Sequence, residues 1–106
     1  MDLRSETHSR IRGQILCLLA RHHGLGDNYE PRMIDVITVQ GALDLLGYPV
    51  PRDDLNSYLA YLSEIGAIRM EKKAFGTMRT LQVTITVKGL KLVDGREFDS
   101  GVNVEA

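Results

Sequence analysis

At Gly66 the hydrophobic period of this chain changes from that of a helix to that of a strand, so the fold must hold both. Before it, Leu55, Tyr58, Leu59, Leu62 and Ile65 recur at i, i+3, i+4, i+7 and i+10, the spacing of one helix face. After it the period is two. In "AIRMEKK" Ile68 and Met70 alternate with Arg69 and Glu71. In "TLQVTITV" Leu81, Val83, Ile85 and Val87 alternate with Thr80, Gln82, Thr84 and Thr86. Such alternation marks half-buried strands. "AFGTM" lies between them and predicts a hairpin with a somewhat long tip around Gly76.

Upstream, "HSRIRGQILCLLARHHG" places Ile11, Ile15, Leu18 and Leu19 on one helical face, with Gly24 as its stop. "GLGDNYEP" is loop by composition. A second helix is predicted over Pro31–Leu46, with Pro31 in its first turn and Gly47 at its end. Ile34, Val36, Ile37, Thr38 and Val39 lower its propensity. Apolar residues nearly encircle it, which predicts the most buried helix of the chain. "YPVP" breaks the chain before a third helix from about Arg52 to Ile65, with Asp53 and Asp54 in its first turn, where the helix dipole favours negative charge. Downstream, "TVKGLKLVDG" predicts a short last helix capped by Thr86 and stopped by Gly95. The tail "REFDSGVNVEA" is polar, and partial disorder is expected there. The order is helix, helix, helix, strand, strand, helix: one α+β domain, mostly α, over residues 1–106 with its core at about 8–95.

Composition adds bounds. The 106 residues are 43% hydrophobic, enough for one core. The single cysteine, Cys17, excludes an intramolecular disulfide and fits a reducing compartment. "MDLRSETHSR" has no apolar signal core, and the longest apolar run, "ILCLLA", is far below a membrane span. A cytoplasmic domain without membrane contact is expected.

The order of elements, with these residues, resembles the winged-helix family, a variant of the helix-turn-helix. Pro31–Leu46 and Arg52–Ile65, joined by "GYPVP", resemble the helix-turn-helix core. "YLSEIGAIRM" resembles the junction from recognition helix to first wing strand. "VTITVKGLKLVDG" is similar to the h-T-x-x-G-x-x-h end of the second wing strand in MarR- and ArsR-like regulators. "ILCLLA", "VPRDDL…YLSEIGAI" and "TVKGLKLVDGREFDSGV" also resemble small winged-helix proteins of Mu-like prophages, in which a Pro-Gly-Val tail is common. Here Gly101-Val102 matches and Ser100 stands in place of the proline. The resemblance implies a DNA-binding transcriptional regulator of phage or prophage type with double-stranded DNA as partner.

In that reading the third helix enters the major groove with Arg52, Asn56, Ser57 and Tyr61 toward DNA. Asn56 can pair with adenine and Arg52 with guanine, and Ser57 and Tyr61 can reach phosphates. Asp53 and Asp54 work against this, because phosphates repel them. They equally fit a reading in which they only complement the helix dipole. The net charge of −1 hides an asymmetry. Ala67 to Arg96 carries seven basic and two acidic residues, a net of +5, whereas Pro31 to Gly66 carries a net of −3. The wing residues Arg69, Lys72, Lys73 and Arg79 would hold the DNA backbone, with Phe75 and Met78 at the same tip. The alternative is a winged-helix protein-interaction module in which basic and acidic surfaces meet, between copies or with a partner. A homodimer fits either reading.

Other chemistry finds little support. The third helix has no cysteine, Cys17 lies between leucines, and no histidine pair has i, i+4 spacing with a carboxylate, so no metal is expected. Cys17, Ser57 and Ser63 lack a placed base. There is no phosphate-loop pattern. Neither an enzyme nor a cofactor is expected, and nothing points to a small-molecule effector.

Overall fold

The computed structural model describes residues 3–23 and 33–104; the side chains of residues 3–5, 22, 23 and 75 lie outside that description. The elements run α1 (Leu3–His23), β1 (Ile34–Asp35), α2 (Val36–Leu45), α3 (Arg52–Glu64), β2 (Ile68–Phe75), β3 (Met78–Ile85) and α4 (Val87–Val93). The three strands form one antiparallel sheet in the order β1-β3-β2. Gly24, Pro31 and the loop expected between them lie outside the described residues.

The helical stripes become the core. Ile11, Ile15, Leu18 and Leu19 of α1 meet Leu55, Tyr58, Leu59 and Leu62 of α3, and all are buried. The core-facing strand positions Ile68, Val83 and Ile85 join them. Gly66 has φ +81°, which lets α3 stop and the chain turn into β2. Thr86 ties this junction to α4: its side chain donates to the Gly66 carbonyl (2.6 Å) and accepts the Gly89 N–H (3.2 Å). A Cβ at Gly89 would stand 2.3 Å from the Ala67 carbonyl oxygen, so the α4 backbone approaches the junction as only glycine allows. The Thr-x-x-Gly pattern is therefore a cap and a close packing contact.

Four expectations need correction. The second helix begins at Val36, not Pro31, because Ile34 and Asp35 pair with Val83 and Gln82 as a third strand. The β-branched run from Ile34 carries that strand preference. Nor is α2 the most buried helix: only Val36, Val39 and Leu43 are buried within it, and Ile37 and Leu45 are exposed. Its buried stripe, with Ala42 packed beside it, faces the core while Ile37 and Leu45 face out. The hairpin tip is short, since pairing continues to Phe75 and Met78 and leaves Gly76 and Thr77 as the turn. Finally, the tail is ordered through residue 104. The Asn103 N–H donates to the Ser9 carbonyl, Arg12 Nη1 donates to the Gly101 carbonyl, and Val102 is buried. Tertiary partners on α1 satisfy a backbone that has none in sequence.

Candidate nucleic-acid interface

The exposed face of α3 is built by the burial of the other. With Leu55, Tyr58, Leu59 and Leu62 inward, Arg52, Asp53, Asp54, Asn56, Ser57 and Ala60 are exposed. Asn56 lies exposed on this surface, with no hydrogen bond from its amide among the described residues. Ser57 Oγ donates back to the Asp53 carbonyl at 3.2 Å, one turn earlier, and keeps its acceptor lone pairs outward. Arg52 is held side-on: its Nε and Nη2 donate to Gln40 Oε1 at 3.1 and 2.9 Å. Gln40 Nε2 in turn donates to the Val50 carbonyl at 2.9 Å. One amide thus joins α2, the turn and α3, and fixes the start of α3.

Tyr61 is placed differently. It is only partly exposed; its hydroxyl donates to Asp99 Oδ1 at 2.7 Å, and Arg12 lies over its ring. The bond to Asp99 pushes the phenol pKa up, with burial and the carboxylate charge adding to the shift. The hydroxyl is therefore a committed neutral donor inside the fold. Tyr58, buried, is bonded to His8 Nδ1.

The hairpin splits its basic residues between two faces. Cross-strand partners share a face, and the pairs Lys72↔Leu81 and Ala74↔Arg79 put Lys72 and Arg79 on the core-facing side. Arg69 and Lys73 point to the other side, paired with Thr84 and Thr80. Arg69 is engaged by Glu71 at 3.6 Å. Toward the tip the core ends, and Lys72, Lys73 and Arg79 are exposed without an acidic partner among the described residues. The tip carries three free cations around a two-residue turn. Met78 beside them is exposed as well; the Phe75 side chain lies outside the description.

The fold that carries these residues has a solved counterpart. The chain is similar in structure to a PadR-family transcriptional regulator from Eggerthella lenta DSM 2243. The TM-score is 0.61 at 16% identity, over 81% of this chain and 70% of that one. The fold is a winged helix. No family model matches the sequence, and no curated protein matches it.

Within this winged helix, the side chains missed by sequence reasoning are those that join distant segments. Gln40 positions Arg52, and Arg12 and Asp99 hold Tyr61. None shows a spacing that would have marked it, because Arg12 and Gly101 lie 89 positions apart. Cys17, expected in the packing, is half-buried, and burial pushes its thiol pKa up. Among the described residues no group of three or more His, Cys, Asp or Glu side chains is placed to hold a metal ion, and no helix is long and apolar enough to cross a membrane.

Proposed function

We propose that this winged helix binds double-stranded DNA as a transcriptional regulator in the cytoplasm. The exposed N-terminal half of α3 enters the major groove, and the wing tip grips the adjacent backbone. The observation that carries this reading is the tip itself: Lys72, Lys73 and Arg79, exposed and without acidic partners among the described residues, at the place where a hairpin beside a groove-bound helix meets phosphate. Asn56 is the base-reading side chain, Ser57 a phosphate contact and Arg52 a guanidinium pre-set by Gln40. Arg69, neutralised by Glu71, contributes less than the tip, and Tyr61 serves the fold. The phage or prophage type is part of the proposal, and rests on the similarity of "TVKGLKLVDGREFDSGV" to such proteins.

The test is a fluorescence-anisotropy titration of random-sequence duplex at low and moderate salt, with the native chain and with Lys72→Ala/Lys73→Ala/Arg79→Ala. Binding that weakens with salt, and a smaller salt slope in the triple variant, support the proposal. A second reading has its own observation: Asp53 and Asp54 stand exposed at the leading end of α3, where DNA phosphates would repel them. Absence of binding at low salt would establish that these carboxylates prevail and would favour a protein-interaction module.

A further inference from the structure

Glycine costs a helix interior stability and is kept there when something needs the space. Two helical glycines have an internal reason. A Cβ at Gly13 would stand 1.8 Å from the Asn103 carbonyl oxygen, and one at Gly89 would strike Ala67. Gly41, in the middle of α2, has none: its Cβ would meet nothing within 4 Å among the described residues. It lies in an open groove of about 520 Å³ lined by Ile37, Gln40, Gly41, Asp44, Pro49, Val50 and Pro51.

The groove has a composition. Ile37, which lines it in the first turn of α2, is 67% exposed, and Leu45, at the other end of the helix, is 91% exposed. Asp44 lines this groove, and Asp53 and Asp54 follow its Pro51 in the first turn of α3, where Gln40 holds the neighbouring Arg52. Of the six exposed large hydrophobics among the described residues, three are Ile37, Leu45 and Leu46. A fourth is Met78, at the wing tip among Lys72, Lys73 and Arg79. The chain thus carries an apolar groove with an acidic rim, and a narrow apolar projection with a basic rim.

We infer that the groove over Gly41 receives the wing tip of a second copy of this chain, head to tail. Met78 enters against the bare Gly41 backbone and Ile37, and Arg79, Lys73 and Lys72 face Asp44, Asp53 and Asp54. Both halves are needed and they lie on different surfaces of one molecule, so the contact is heterologous. The buried surface is that of a hairpin tip, which makes the association weak and concentration-dependent. The wing is used either for this contact or for DNA, so self-association withdraws it from the duplex.

Sedimentation velocity over about 10 µM to 1 mM, without DNA and at two salt concentrations, reads this directly. The native chain should show salt-weakened association. Two variants each remove one half: Met78→Ser/Arg79→Glu at the wing and Gly41→Leu in the groove, where the added Cβ has no atom of the described residues within 4 Å. Each should be monomeric alone, and an equimolar mixture should form a one-to-one dimer, because the wing variant keeps its groove and the groove variant keeps its wing. A native chain that is monomeric throughout overturns the inference and leaves the DNA reading untouched. Association that persists in both single variants, or a mixture that stays monomeric, overturns it too. If Gly41→Leu fails to fold by circular dichroism, Asp44→Lys takes its place with the same expected outcomes.

Discussion

The Arg12 guanidinium lies over the Tyr61 ring, 4.0 Å from its centroid, and joins α1 to α3. The same side chain donates to the Gly101 carbonyl at 3.0 Å, and the Tyr61 hydroxyl donates to Asp99 at 2.7 Å. Asp99 also accepts the Gly101 N–H at 2.8 Å. A cation, an aromatic ring and a carboxylate thereby hold the tail across two helices.

This arrangement leaves no room at Gly101. A Cβ there would stand 2.0 Å from the Tyr61 hydroxyl oxygen. Gly101→Ala must push Tyr61 off Asp99 or lift the tail, and a destabilisation of about 1–3 kcal/mol is expected in urea unfolding. Tyr61→Phe removes only the hydroxyl and should cost about 1 kcal/mol. Both variants should speed proteolytic removal of the tail.

Tyr61 also separates a fold role from a DNA role. If its hydroxyl serves Asp99, Tyr61→Phe should leave duplex affinity and its salt slope unchanged. Asn56→Ala should instead lower discrimination at one base position by about 1–3 kcal/mol while random-sequence affinity changes little. A site selection followed by anisotropy on matched and mismatched duplexes measures both.

Alkaline pH should act through the two tyrosines. The folded-state pKa of Tyr61 is raised, chiefly by its bond to Asp99, and that of Tyr58 chiefly by burial. A raised folded pKa means that above the unfolded value, near pH 10, the folded state holds protons that the unfolded state has lost. Stability from these groups is therefore complete below about pH 10 and falls as pH rises through the folded values. Unfolding midpoints across that window should fall less steeply in Tyr61→Phe than in the native chain.

Gly41→Ala places a methyl group in open space within a helix. A gain of about 0.5–1 kcal/mol is expected, read as a thermal midpoint higher by about 3–6 °C. A loss of stability would show an internal constraint on Gly41 that the geometry does not contain.

Sequence periodicity was enough for α1, α3, the two hairpin strands and α4, because each carries its own signal. The α3 stripe repeats at helical spacing, the strands alternate, and Thr86 and Gly95 bound α4. It failed at α2, where an apolar run from Ile34 serves first as a strand and then as a helix. Local propensity does not distinguish these, and pairing with Val83 and Gln82 does. Of the proposed interface, the basic residues of the wing were visible as a charge asymmetry, but their division between two faces came only with the register.

By itself, then, the sequence determined the order of the four helices and the hairpin, the buried faces of α1 and α3, and the segregation of charge. These depend on contacts a few residues apart, which spacing encodes. Tertiary structure alone decided that Tyr61 turns to Asp99, that Gln40 holds Arg52, that the tail docks on α1, and that Gly41 faces open space. Each depends on what a side chain or backbone meets from a segment brought near by folding, or on finding nothing there, and no local period carries that information.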